Sequence, residues 1–246
     1  DAGLIVKREE KTFDFFRERL MFPIIDTNGR VLGFGGRDLK GDGKGPKYIN
    51  TPQTEVYDKS NVLYGLFQAK RAVRNKDRLI LTEGYTDVIA LHQAGIEEAV
   101  SASGTALTEG HIHKIKRFTK NVVLLFDGDG AGQRAAKRGI ELCLRMGLFP
   151  KVCLLPEDHD PDSYIHKFGG QHLTDHISTK LATYTVQGWT SGRRPSAQPS
   201  TYQSFARHSA VQSAGHHVVA YILFAARLLI CRAYPHQMKG FPNKMG

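Results

Sequence analysis

Val122–Val123–Leu124–Leu125–Phe126 runs directly into Asp127–Gly128–Asp129–Gly130–Ala131–Gly132. An apolar run closed by a glycine-rich turn reads as a buried strand of a parallel sheet. The same grammar occurs upstream, where Leu79–Ile80–Leu81–Thr82 leads into Glu83–Gly84 with Asp87 four residues after Glu83. Downstream, Val152–Cys153–Leu154–Leu155–Pro156 leads towards Asp160–Pro161–Asp162. Ligand sites of open α/β sheets gather at the carboxyl ends of the strands. Carboxylates collected there repel one another unless a cation sits between them, and oxygen-only ligands suit Mg²⁺. The pattern therefore predicts that Glu83, Asp127 and Asp129 converge on a shared divalent ion in a site for phosphoryl chemistry.

Rival readings of Asp127–Gly132 fit less well. A calcium-binding loop starting at Asp127 needs an oxygen ligand at 131 and Glu at 138, where the chain has Ala131 and Arg138. A dinucleotide fingerprint needs glycines at its first, third and sixth places, and here they fall at 128, 130 and 132. A simple turn with capping aspartates would explain one such stretch. Acids at three strand ends favour a metal site.

From residue 78 the chain alternates strands and helices. Strands are predicted at 79–82, 98–101, 122–126 and 151–155. Helices are predicted at 86–94, from about Thr108 with Ile112, Ile115 and Phe118 on one face, at 131–146, and briefly at 162–168. This βαβαβαβ order implies a parallel sheet with helices on both faces. Upstream, residues 1–12 read as a frayed charged segment and residues 13–20 as a short helix. Runs at 22–25 and 30–34, joined by Asp26–Thr27–Asn28–Gly29, form a hairpin. Residues 40–46 form a glycine-rich loop, and residues 61–72 a helix.

Net charge is +10 but unevenly spread. Residues 1–80 hold 16 basic and 11 acidic side chains; residues 81–177 hold 10 and 13. A basic front beside an acidic, metal-requiring part suits a protein that grips nucleic-acid phosphates next to a metal centre. Residues 178–246 contain 8 basic residues and no acid, a chance on the order of 1 in 1,000 or less at ordinary composition. A stretch translated out of frame accounts for this better than a basic nucleic-acid tail, and the segment is assigned no function. Cys143, Cys153 and Cys231 have neither metal-ligand spacing nor a disulfide framework, so a reducing compartment is expected. No apolar run is long enough to span a bilayer.

Glu83–Gly84–Tyr85–Thr86–Asp87–Val88 together with Asp127–Gly128–Asp129–Gly130–Ala131–Gly132 resembles the paired signature of the TOPRIM domain, shared by bacterial primases, several topoisomerases and some nucleases. Upstream, Arg17–Glu18–Arg19–Leu20–Met21–Phe22–Pro23–Ile24, Gly33–Phe34–Gly35–Gly36–Arg37, Lys47–Tyr48–Ile49–Asn50–Thr51–Pro52, and Lys59 before Leu63–Tyr64–Gly65–Leu66 resemble the DnaG-type bacterial primases. The match is collinear over about residues 1–177. It implies an α/β fold: a TOPRIM domain with a central parallel sheet at 78–177, preceded by a mixed α+β basic subdomain at 1–77, with 178–246 an atypical tail.

The resemblance implies synthesis of short RNA primers on single-stranded DNA from ribonucleoside triphosphates. Glu83, Asp127 and Asp129 would be catalytic, and Asp87, Asp160 and Asp162 would complete the acidic cluster as metal ligands or supports. Mg²⁺ is the expected ion, with Mn²⁺ as substitute, and no zinc site is expected. Arg17, Arg19, Arg37, Lys47 and Lys59 would line a groove for template and nucleotide. The family's replicative-helicase partner has no recognisable docking domain here. The implied setting is the bacterial cytoplasm at the replication fork, for a fragment of a larger protein. A TOPRIM nuclease and a catalytically silent DNA-binding fragment are the alternatives. His111 and His113, among Lys114, Lys116 and Arg117, read as exposed. Ser101, Ser103 and Thr105 read as a strand-to-helix loop offering a phosphate contact or a helix cap.

Overall fold

The computed structural model describes residues 3–183 other than Asp42, Lys44, Glu157 and Asp158. Cys231 and the acid-free stretch beyond residue 183 lie outside the described residues.

The strand-and-helix alternation forms as predicted. Strands β6 (Leu79–Thr82), β7 (Ala99–Ser101), β8 (Asn121–Phe126) and β9 (Phe149–Leu154) build a parallel sheet in the order β7-β6-β8-β9. A short strand, β10 (Ala182–Thr183), pairs antiparallel with β9. Every residue of β6 is buried, because helices cover both faces. Side chains alternate across a strand, so Leu79, Leu81, Val122 and Leu124 enter one core with Ala69 and Val73 of α1 (Leu66–Lys76), Ile112 and Ile115 of α3 (Glu109–Ile115), and Ala136 and Ile140 of α4 (Gly130–Arg145). Ile80, Val123 and Leu125 enter the other with Leu91 of α2 (Tyr85–Gln93), Tyr164 of α5 (Pro161–Phe168), and Leu173 and Ile177 of α6 (Gly170–Thr179). The last of these helices, absent from the sequence reading, crosses residue 177. Cys143 and Cys153 are free and buried, and burial pushes each thiol up to about 12.

The front region departs from the sequence reading in three places. Residues 1–12 are not a frayed segment: β1 (Ile5–Arg8) and β2 (Lys11–Asp14) form an antiparallel hairpin. Residues 13–20 are not a helix. Lys11–Asp14 finds a strand partner, and Glu18 sits at φ 52, a conformation no right-handed helix accommodates. The helix expected at 61–72 begins only at Leu66, after Gly65 at φ 82.

The hairpin expected around Asn28–Gly29 is present and longer than predicted, pairing β3 (Arg19–Ile25) with β4 (Val31–Asp38). Asp26 fixes its turn by accepting from the backbone N–H of Asn28 at 2.8 Å and of Arg30 at 2.9 Å. β5 (Tyr48–Asn50) completes a three-stranded antiparallel sheet. Phe22, Ile24, Tyr57, Val62 and Tyr85 form a further core that joins this sheet to the start of α2. Among the described residues no helix is long and apolar enough to cross a membrane.

Candidate active site

Glu83, Asp127, Asp129 and Asp160 all follow the carboxyl ends of strands, in the turns before α2, α4 and α5. Each helix start shapes its own acid. Asp129 caps α4, accepting from the Gly132 N–H at 2.6 Å. Asp160 caps α5, accepting from the Ser163 N–H at 2.7 Å. Asp87, buried at the third position of α2, accepts from the Gly84 N–H at 2.8 Å and contacts the Thr82 hydroxyl at 3.4 Å. Negative side chains at helix amino termini are favoured by orphan N–H groups and by the helix dipole. The β8–α4 turn is tight at Gly132, where a Cβ would lie 2.3 Å from the Asp127 carbonyl oxygen. A side chain there would force the turn open.

These acids share one electrostatic neighbourhood. Burial pushes Asp127 up to about 6, with the charges of Asp160 and Asp129 adding to the effect. Burial raises Asp87 to about 7 against the Gly84 hydrogen bond, helped by Asp160, Asp127 and Asp162. Glu83 rises through desolvation and then through Asp127 and Asp129. Asp162 rises chiefly by burial, opposed by His166 and by Arg37 of β4. The sequence-predicted acids are thus brought together at one sheet edge, facing a cation of the front sheet.

The expected close convergence on one ion is not realised as the side chains stand. Among the described residues no group of three His, Cys, Asp or Glu closes on a point that could hold a metal. Asp87, Asp129 and Asp160 each turn an oxygen onto a backbone N–H. The donor set still fits a hard divalent cation: every donor is a carboxylate oxygen, and the neighbouring charges that add to the effect of burial on Glu83, Asp87 and Asp127 are what a divalent charge would offset.

The predicted basic residues divide. Arg37 and Lys47 flank the Tyr48 ring at 5.9 and 6.0 Å from its centroid. Arg19 is held by backbone, donating to the carbonyls of Gly36 at 3.2 Å and Pro46 at 3.0 Å, so it braces the glycine-rich loop. Arg17 lies over Phe13 at 5.9 Å. Lys59 sits in a turn held against the start of α3 by His111, whose Nε2 lies 2.9 Å from the Lys59 carbonyl. That histidine is fully buried, contrary to the exposed reading; His113 is exposed. The Thr108-x-x-His111 spacing of a helix cap was the available signal, masked by the basic residues that follow. Ser101 and Ser103 bond each other through their hydroxyls, and Thr105 donates to the Ala102 carbonyl at 2.9 Å. The cap of α3 is Thr108.

A parallel sheet with clustered acids along its carboxyl edge is the architecture of a Toprim domain, and residues 80–165 match the family model described as Toprim-like. Residues 1–70 match the model of the DNA primase catalytic core, N-terminal domain. A DNA primase of Neisseria meningitidis is 43% identical over 192 residues, covering 77% of this chain and 32% of that protein. A DNA primase domain from Pseudomonas aeruginosa superposes with a TM-score of 0.70 at 42% identity, over 74% of this chain and 58% of that one. A DnaG primase catalytic domain bound to single-stranded DNA superposes with a TM-score of 0.68 at 40% identity, over 74% and 57%. The chain belongs to the DnaG-type DNA primases. It spans about a third of the length of the curated relatives it matches.

Proposed function

We propose that this chain performs the templated synthesis of short RNA primers on single-stranded DNA, the activity of a DNA-directed RNA polymerase. The observation that carries the reading is the placement of Glu83, Asp127, Asp129 and Asp160 in the turns that follow the carboxyl ends of β6, β8 and β9, at the starts of α2, α4 and α5. Glu83, Asp127 and Asp129 hold Mg²⁺, or Mn²⁺ in its place, with Asp87, Asp160 and Asp162 supporting the cluster. Bound there, the ion neutralises triphosphate charge and assists formation of the new phosphodiester bond.

The chain's own groups do the rest. Glu83 serves either as a ligand of the ion or as the acid–base group that exchanges a proton with the primer hydroxyl. Arg37 and Lys47 take phosphates of template or ribonucleoside triphosphate beside the Tyr48 ring, with Lys59 on the neighbouring turn and Arg17 and Arg19 at the groove's outer part. Backbone contacts of this kind make template binding strongly salt-dependent. The setting is the bacterial replication fork, beside the replicative helicase.

Asp129→Asn tests the assignment, because asparagine caps a helix as well as aspartate does but carries no charge. Supplied with single-stranded DNA, Mg²⁺ and ribonucleotides, the parent chain makes dinucleotides and longer RNA, and the variant makes none while keeping its melting temperature. Synthesis at the parental rate would remove Asp129 from the metal centre. Cut DNA in place of RNA would mark a nuclease.

A further inference from the structure

We propose that His111 is a positioning residue, whose buried imidazole holds the backbone of Lys59 so that the lysine's ammonium meets a phosphate of single-stranded DNA at the carboxyl edge of the sheet. The inference rests on the reading of Lys59 as a groove residue. Its own content is the clamp.

The hydrogen bonds fix the imidazole in one form. His111 Nδ1 accepts from the Thr108 N–H at 3.2 Å. The ring hydrogen therefore sits on Nε2, which donates to the Lys59 carbonyl at 2.9 Å, across 52 residues of sequence. Burial lowers the affinity of this ring for a proton, which keeps it in the neutral form the clamp requires.

Neighbouring contacts grip the same short turn. The Thr108 hydroxyl donates to the Ser60 carbonyl. Gly110 lies so close that a Cβ would meet the Asn61 side-chain oxygen at 2.2 Å and the Ser60 carbonyl at 2.7 Å. Within the turn, the Asp58 carboxylate takes the Ser60 N–H at 3.0 Å and the Ser60 hydroxyl at 2.7 Å. Apolar packing already anchors both flanks, through buried Tyr57 and Val62. The extra polar contacts converge on the backbone carbonyls of Lys59 and Ser60, where they fix the backbone from which the Lys59 side chain leaves. Because α3 follows β7, that turn rests on the same sheet edge as the acids.

The test is binding of labelled oligo-dT to the full chain, read as the slope of log affinity against log salt. Lys59→Ala removes one phosphate contact, so the slope becomes shallower by about 0.7 and low-salt affinity falls roughly threefold to tenfold. His111→Asn keeps an acceptor for the Thr108 N–H but cannot reach the Lys59 carbonyl, and it reproduces the shallower slope. His111→Gln, whose amide reaches that carbonyl, restores the parental slope. In a Lys59→Ala background, His111→Asn changes nothing further.

A parental slope in His111→Asn while Lys59→Ala lowers it overturns the clamp, whatever the melting temperature does, and so do additive effects in the double variant. A slope unmoved by Lys59→Ala removes Lys59 from the groove and the clamp with it. Should His111→Asn fail to fold, Gly110→Ala decides: it displaces the Ser60 carbonyl and must also flatten the slope.

Discussion

The Tyr85 phenol donates a 2.7 Å hydrogen bond to the side-chain oxygen of Asn50, joining the first residue of α2 to the last residue of β5. The Asn50 amide donates in turn to the Ser103 carbonyl at 2.9 Å. One asparagine of the front sheet thereby ties down the turns after both β6 and β7. Phe22 stacks on the Tyr85 ring at 4.9 Å, and Tyr64 meets it edge-on at 4.7 Å. The turn carrying Glu83 and the sheet carrying Arg37 are held in fixed relation by this aromatic box.

Tyr85→Phe keeps the ring stack and loses only the hydroxyl, so it should cost about 1 kcal/mol of unfolding free energy. Asn50→Ala breaks both bonds and should cost about 2 kcal/mol. Urea denaturation measures each. An Asn50→Ala midpoint above that of Tyr85→Phe would refute the tie.

Asp127 and Asp87 titrate near 6 and 7, for burial first and neighbouring acids second. A folded-state value above the unfolded one means that the native protein holds more protons through this window. The contribution of these acids is therefore favourable in acid and is lost as pH rises through 6 to 7. A divalent ion competes with those protons. Mg²⁺ should raise the melting temperature more at about pH 8 than at about pH 5.5, and Asp127→Asn should abolish most of the difference. In EDTA at about pH 8, Asp127→Asn should be slightly more stable than the parent, by less than about 1 kcal/mol because the group is partly exposed and screened. An equal Mg²⁺ effect at both pH values would remove these acids from the ion site.

His111 titrates in the opposite sense. Its folded-state value lies below the usual one because burial disfavours the imidazolium, so the unfolded chain binds more protons as pH falls from about 6.5. Stability from this group is complete above about pH 6.5 and drains away on acidification. His111→Gln should flatten the acid limb of the stability curve relative to the parent. Parallel curves between about pH 7 and pH 5 would contradict a neutral buried ring.

Glu98, with a fully buried side chain, pairs with Lys76 at 2.7 Å and with Arg78. Replacing both cations by Met should strand its charge and cost about 3 to 5 kcal/mol. Glu98→Gln removes that charge, leaves two cations that reach solvent, and should cost about half as much. Chemical denaturation of the variants gives the order, and the reverse order would disprove the pairing.

The stretch from residue 79 to 155 was legible because its strands are written without interruption. Leu79–Thr82 and Val122–Phe126 are apolar on both faces, and only a sheet covered twice asks for that. The acids were legible because each ends such a run. The front hairpin was not, since Glu9 and Glu18 sit at φ 53 and 52, turns that glycine would have announced and glutamate conceals. His111 was misread because Lys114, Lys116 and Arg117 mark an exposed face, while the helix turns Gly110 and His111 inward against the turn at Ser60. That contact spans 52 residues, a distance over which local pattern carries no information. Among the described residues no three of the acids close on one point, and at Asp129 part of the reason is the Gly132 N–H that takes its oxygen, a bond the sequence does not advertise.

On the proposed reading Asp129 serves two masters, since the oxygen that secures α4 through the Gly132 N–H belongs to the carboxylate that would be offered to the ion. Asparagine satisfies the first duty and fails the second, and aspartate becomes asparagine through a single base change. If that reading holds, a lineage could abandon synthesis in one mutational step while keeping a sound scaffold. Among distant relatives, Asn at this place would then mark a polymerase that has lost its ion, whereas Ala would also give up the cap, at about 1 kcal/mol.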